Sequence, residues 1–155
     1  MSLDAGAAAP DFDLPTDGAA NASLKALKGK TVVFYFYPKD DTSGCTSEAK
    51  AFSEAKAAFD AAGAVVIGVS KDSVASHAKF RAKYDLNVIL ASDVEGKVVE
   101  AYGAWVEKSM YGRKYMGIDR STFVIDGLGV LRRVWRKVKV TGHVQDVLKA
   151  VQELG

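Results

Sequence analysis

The chain has 155 residues, 48% of them hydrophobic and 26% charged, values that are ordinary for a soluble globular protein. This length suits one domain with one sizeable core, which we expect to span residues 1–155. The formal net charge of +2 is too small to predict a nucleic-acid or anionic-membrane partner, and no apolar run is long enough to cross a bilayer.

Cys45 is the single cysteine, which excludes an intrachain disulfide and a cysteine-based zinc cage. A lone cysteine favours a reducing compartment, and the N-terminus lacks the basic and apolar regions of a secretory signal, so we expect a cytoplasmic location. We expect each of the two histidines, His77 and His143, to be a surface helix or cap residue rather than a metal ligand. The sequence thus predicts neither a bound metal nor a cofactor.

The N-terminal third of the chain predicts one long strand. Residues 1–9, rich in Ala and Gly, are expected to be loosely held, and an extended segment follows at 10–17. Residues 31–37 are a dense run of β-branched and aromatic side chains, which is typical of a strand buried on both faces. Pro38 ends this strand, and the polar stretch 39–44 is turn-prone.

The remaining segments alternate between helix and strand patterns. They predict helix 46–62, strand 64–69, helix 73–84, strand 87–91, helix 95–102, an irregular stretch 105–116, a hairpin of strands 121–126 and 130–136, and a helix from Thr141 to about residue 154. This order predicts an α/β protein with a mixed, mainly parallel central sheet, helices on both faces and an antiparallel hairpin at the edge. A thioredoxin-like arrangement satisfies these constraints, although periodicity alone does not select it over other small α/β folds.

Cys45 falls where the long buried strand has ended and a helix begins. The N-terminus of a helix carries partial positive charge and free N–H groups, which favour the thiolate form of a cysteine placed there. Sites in α/β sheets also form beyond the carboxyl ends of the strands. A buried structural cysteine is the alternative, but the polar loop, the helix start and the strand end together favour a functional residue.

Pro38, Thr42 and Cys45 follow the spacing Pro-x-x-x-Thr-x-x-Cys, and this run resembles the peroxiredoxins. The surrounding Phe-Tyr-Pro-Lys-Asp and Gly-Cys-Thr-x-Glu resemble the bacterioferritin comigratory protein branch, also called peroxiredoxin Q. A second match lies in Met-Tyr-Gly at 110–112 and in residues 117–123. The resemblance extends from Pro10 to the last helix, and it implies the thioredoxin-like fold.

The resemblance implies a role for each residue of the motif. Cys45 corresponds to the peroxidatic cysteine, whose thiolate attacks hydrogen peroxide or an organic hydroperoxide and becomes a sulfenic acid. Thr42 corresponds to the residue that orients the peroxide, with a helix cap as the alternative role. Pro38 corresponds to the proline that shields the site, and Arg120 to the arginine that brings a guanidinium to the thiolate. We expect Glu48, which also matches the motif, to face an arginine.

The sequence departs from many relatives because it has no resolving cysteine. The positions where this branch carries one are Lys50 and Arg81 here, and we expect both to be solvated helix residues. The resemblance therefore implies a one-cysteine peroxidase, a monomer or weak dimer, that is recycled by an external thiol such as thioredoxin, or glutathione with glutaredoxin. A redox-sensing or binding module of the thioredoxin fold, which passes oxidation to a partner, is the alternative, as is a structural domain with an inert thiol.

Overall fold

The structure, a computed structural model, describes residues 3–18 and 20–154. Its elements in chain order are β1 (Asp13–Leu14), β2 (Ala22–Ser23), β3 (Thr31–Phe36), α1 (Ser43–Glu54), α2 (Lys56–Ala61), β4 (Ala64–Ser70), α3 (Val74–Tyr84), β5 (Ile89–Ser92), α4 (Lys97–Ala101), β6 (Trp105–Met110), β7 (Arg113–Ile118), β8 (Ser121–Ile125), β9 (Leu131–Trp135) and α5 (His143–Leu154). None of the helices in these described ranges has the length and apolar character needed to cross a membrane.

Five strands form the central sheet, in the order β5-β4-β3-β8-β9. The strands β3, β4 and β5 are parallel, whereas β8 runs antiparallel to both of its neighbours, β3 and β9. The central strand β3 is buried on both faces, as the run of apolar residues predicts. The predicted α/β class with a mixed sheet is therefore confirmed.

Side chains of β3 alternate between two hydrophobic cores. Val33 and Tyr35 face the core covered by α1, α2, α3 and α5. Val32, Phe34 and Phe36 face the opposite core, which α4 and the N-terminal segment cover. Helices thus lie on both faces of the sheet, and the first turn of α1 sits at the carboxyl end of β3.

The stretch predicted to be irregular is in fact a β-hairpin. Strands β6 and β7 pair antiparallel from Trp105 and Ile118 at the base to Met110 and Arg113 near the tip. The tip is the dipeptide Tyr111-Gly112, and both residues have positive φ, 53° and 77°, as a tight two-residue hairpin turn requires.

Two further segments differ from expectation. The predicted helix 46–62 begins earlier, at Ser43, and is interrupted at Ala55 between α1 and α2. Within the nine N-terminal residues expected to be loosely held, Gly6, Ala7 and Ala9 form backbone hydrogen bonds with residues 129–131. Those three residues are fastened beside the start of β9, while the first two residues of the chain lie outside the described ranges.

Candidate active site

Cys45 lies in the first turn of α1. Thr42 is the N-cap residue, with extended backbone angles (φ −96°, ψ 158°), and its carbonyl oxygen accepts the first helical hydrogen bond from the Thr46 amide at 2.8 Å. Cys45 is only 1% exposed. Its thiol is therefore buried at the positive end of the helix dipole. The catalytic role of Cys45 stays a prediction.

Arg120 reaches this thiol from the loop between β7 and β8. The pairing of Phe36 with Ser121 aligns the end of β3 with the start of β8, which brings the loop to the same edge of the sheet as α1. Its Nη2 donates a hydrogen bond to Cys45 Sγ at 3.3 Å. The close approach depends on Gly44, because a Cβ there would lie 3.1 Å from Arg120 Nη2.

Glu48 holds the other nitrogen of the same guanidinium. Arg120 Nη1 donates to Glu48 Oε1 at 2.6 Å, and the Glu48 side chain is 0% exposed, which confirms the expected contact with an arginine. Burial raises the pKa of Glu48 to about 7, although the charge and hydrogen bond of Arg120 act in the opposite direction. Burial disfavours the charged form of Arg120 and tends to lower its pKa. The contacts with Glu48 and Cys45 outweigh this effect, so the pKa of Arg120 is raised above its ordinary value.

Thr42 and Pro38 line the exposed part of the loop that precedes α1. The Thr42 hydroxyl donates to the carbonyl oxygen of Lys39 at 2.9 Å, and it makes no capping hydrogen bond to α1. Thr42 therefore occupies the cap position without acting as a side-chain cap. The catalytic roles of both residues stay predictions.

Asp40 anchors this loop to the protein interior through a network that the sequence did not predict. Its carboxylate accepts hydrogen bonds from Tyr37 Oη at 2.6 Å and Ser76 Oγ at 2.8 Å, and it lies 2.7 Å from His77 Nδ1. Burial tends to raise the pKa of Asp40, but the hydrogen bonds from His77, Tyr37 and Ser76 outweigh it and lower this pKa. The loop is therefore fixed to α3 by hydrogen bonds to Ser76 and His77.

The prediction that the two histidines are surface residues is wrong. His77 is completely buried, between Asp40 and the carbonyl oxygen of Ala91, 3.0 Å from its Nε2. His143 is 5% exposed and lies 2.8 Å from Thr122 Oγ1. Within residues 3–18 and 20–154, no three His, Cys, Asp or Glu side chains come together as a metal ligand set would.

Arg81 is not the solvated helix residue that we expected, whereas Lys50 is exposed as predicted. The Arg81 guanidinium forms an ion pair with Asp17 and donates to the carbonyl oxygens of Leu86, at 2.8 Å, and Val88. The sequence could not reveal this role because Asp17 lies 64 residues away. Arg81 fastens α3 to the segment before β2.

Comparison with known proteins identifies the family. The AhpC/TSA family model matches residues 5–134. A Bcp peroxiredoxin of Coxiella burnetii is 52% identical over 148 residues, which cover 96% of this chain and 98% of the relative. Peroxiredoxin Bcp of Bacillus subtilis is 45% identical over 154 residues, covering 99% of this chain and 98% of that protein.

Solved structures agree with the sequence relatives. The bacterioferritin comigratory protein of Xanthomonas campestris, studied for its alkyl peroxide reduction activity, superposes with a TM-score of 0.88 at 42% identity, covering 92% of this chain and 91% of the other. A PrxQ mutant from Xylella fastidiosa superposes with a TM-score of 0.93 at 34% identity, covering 99% and 98%. The chain has the thioredoxin-like fold that was predicted, and it belongs to the AhpC/TSA family as a peroxiredoxin of the Bcp (PrxQ) branch, a thiol-dependent peroxidase.

Proposed function

We propose that Cys45 is the residue of this peroxidase that attacks the peroxide, and that Arg120 keeps it reactive. The observation that carries the proposal is the hydrogen bond from Arg120 Nη2 to Cys45 Sγ at 3.3 Å, beneath the N-terminus of α1. A guanidinium and a helix N-terminus on one buried sulfur both stabilise the thiolate, which is the nucleophilic form.

In the proposed reaction, the Cys45 thiolate attacks the terminal oxygen of hydrogen peroxide or an organic hydroperoxide. An S–O bond forms and the O–O bond breaks, so that the sulfur is oxidised to a sulfenic acid and the peroxide leaves as hydroxide or alkoxide, which takes up one proton. Arg120 stabilises the negative charge as it moves from sulfur to the leaving oxygen. The Thr42 hydroxyl orients the peroxide, and Pro38 shields the site from the solvent side.

Recycling in this proposal depends on an external thiol, because the chain has no second cysteine to condense with the sulfenic acid. A disulfide between two chains needs Cα atoms within about 7 Å of each other, and the 1% exposure of Cys45 disfavours such an approach. We therefore propose a monomer or weak dimer, one thioredoxin-like domain acting in the cytoplasm, reduced by thioredoxin or by glutathione with glutaredoxin.

Intact mass spectrometry after one equivalent of peroxide tests the proposal. Peroxide alone should add one oxygen atom to the protein and stop after a single turnover, and excess peroxide should add a second oxygen as the sulfinic acid. Glutathione should form a mixed disulfide at Cys45. A thioredoxin or glutaredoxin system should then restore repeated turnover.

Cys45→Ser is the matched control and should show neither the mass gain nor peroxide consumption. A covalent dimer as the main product, fully competent in turnover, would contradict the proposed recycling. Oxidation that passes to a partner protein without repeated turnover, in the presence of each reductant, would favour the redox-sensing alternative.

A further inference from the structure

Glu48 is a buried carboxyl group that the reaction proposed above does not use. It lies one helical turn after Cys45 on α1, and its Oε1 accepts the hydrogen bond from Arg120 Nη1. Its second oxygen, Oε2, is buried and has no hydrogen-bond partner. The Arg120 guanidinium thus donates hydrogen bonds to two acidic groups, to the thiol through Nη2 and to the carboxyl through Nη1.

Two other titratable groups near this cluster, Tyr35 and His143, are neutral near pH 7. The charges of Asp40 and Asp146 act on Tyr35 and His143 respectively, and both are negative. Burial, followed by the nearby Glu48 and Cys45, raises the pKa of Tyr35 on β3 well above its ordinary value. Burial also lowers the pKa of His143, the first residue of α5, to about 4, and the charge of Arg120 adds to this effect. Neither group supplies a second positive charge, so Arg120 is the cation that Cys45 and Glu48 share.

Two buried anions facing one cation would repel each other. Because Arg120 contacts both Cys45 and Glu48, the charge that Glu48 favours depends on the charge at Cys45. Conversion of Cys45 to a neutral sulfenic acid removes one anion and leaves the guanidinium to Glu48 alone. This change favours the carboxylate form of Glu48.

We propose that Glu48 is a proton reservoir for the site: its carboxyl group is protonated while Cys45 is a thiolate, and it releases that proton as Cys45 becomes a sulfenic acid. This inference rests on Cys45 being the residue that attacks peroxide. As the S–O bond forms and the O–O bond breaks, the leaving hydroxide or alkoxide takes up one proton and Glu48 gives up one. Oxidation then draws no net proton from the solvent. Glu48 acts on Cys45 through Arg120, the residue that contacts both groups.

Infrared difference spectroscopy between the reduced and the peroxide-oxidised protein tests the protonation change directly. Oxidation should remove the C=O stretching band of one protonated carboxyl group, and this band should shift in deuterium oxide. The band should be missing from the difference spectrum of Glu48→Gln and present in that of Glu54→Gln, an exposed glutamate on the same helix. A wild-type difference spectrum that lacks the band overturns the inference even if Glu48→Gln does not fold.

Proton uptake, followed with an indicator dye in weak buffer, gives a second measurement. Oxidation of Glu48→Gln should consume up to one more proton per Cys45 than oxidation of the wild type or Glu54→Gln. Equal uptake by all three proteins overturns the inference. Intact mass on the same samples separates the two proposals, because a protein that gains no oxygen at Cys45 contradicts the proposed function, whereas normal sulfenic acid formation without the carboxyl signal contradicts only the role of Glu48.

Discussion

The hydroxyl of Thr42 donates a hydrogen bond to the carbonyl oxygen of Lys39 at 2.9 Å. The Thr42 oxygen is then left as an acceptor, and in the proposed reaction it would accept a hydrogen bond from the peroxide. Thr42→Val keeps the shape of the side chain and removes this acceptor. We expect Cys45 oxidation to slow by about tenfold or more.

Thr42→Ser retains a hydroxyl group and should oxidise at close to the wild-type rate. Folding should change by less than about 1 kcal/mol in both variants, because the hydrogen bond is exposed and does not cap the helix. Stopped-flow oxidation and denaturant unfolding measure the two effects. An unchanged oxidation rate in Thr42→Val would remove Thr42 from the catalytic residues.

Arg120→Met removes the cation that Cys45 and Glu48 share. Alkylation of Cys45 near neutral pH should be slower than in the wild type, and peroxide oxidation should slow on the order of a hundredfold. Arg120→Lys should be intermediate, since an ammonium group cannot hold both partners with the geometry of a guanidinium. The double variant Arg120→Met/Glu48→Gln controls for the carboxyl group left unpaired. An alkylation profile identical to the wild type would contradict the role of Arg120.

Gly44→Ala should lower the rate of Cys45 oxidation without lowering the stability of the fold. The new Cβ would lie 3.1 Å from Arg120 Nη2, so the guanidinium must move by a few tenths of an ångström. We expect this shift to weaken its hydrogen bond to Cys45. Replacing glycine by alanine within a helix otherwise stabilises it by up to about 1 kcal/mol. We expect slower oxidation with equal or greater stability, whereas Ser47→Ala, at an exposed position of the same helix, should leave the oxidation rate unchanged. Full oxidation rate in Gly44→Ala would contradict the proposed steric limit.

Asp40→Asn weakens the anchor between the site loop and α3. We expect a loss of about 1 to 3 kcal/mol in the free energy of unfolding, and slower Cys45 oxidation because the loop carries Thr42. The lowered pKa of Asp40 means that its contribution is present above the pKa of an unfolded Asp, about 4, and is lost as pH falls through the folded pKa. Acid destabilisation should therefore be weaker in Asp40→Asn than in the exposed control Asp60→Asn, and equal acid sensitivity would argue against the anchor.

The burial of His143 predicts a second pH dependence of the free energy of unfolding, distinct from that of Asp40. Its pKa falls from 6.5 to about 4 on burial, so the unfolded chain takes up a proton at a pH where the folded protein does not. Its contribution to stability is complete above pH 6.5 and is lost as pH falls towards 4. Unfolding measured across this range should depend less on pH in His143→Asn than in wild type. The exposed Gln145→Ala, on the same helix, should match wild type; a parallel pH profile in His143→Asn would refute the assignment.

The sequence predicted those parts of the structure that depend on local pattern. The buried strand β3, the presence of a helix after the site loop and the hairpin of β8 and β9 follow from periodicity and turn residues. The hairpin of β6 and β7 was missed because its exposed strands carry charged residues such as Lys108 and Lys114 instead of an alternating apolar face, although Tyr111-Gly112 was a usable turn signal.

The contacts that complete the site depend on residues distant in sequence. Asp40 meets His77 from 37 residues away, and Arg120 meets Cys45 from 75 residues away. Periodicity carries no information on such pairs, so burial of the histidines was missed. The pairing of Arg120 with Cys45 was expected only because the motifs resemble those of a known family.

The dependence of the Cys45 environment on β8 makes the thiol a chemical reporter of folding. Its guanidinium partner arrives only when β8 has paired with β3 in the register that sets Ser121 opposite Phe36. A partly folded chain in which α1 has formed but the sheet centre has not would present a thiol without its guanidinium partner. Pulsed alkylation during refolding should therefore time the docking of the two halves of the chain, with no added label.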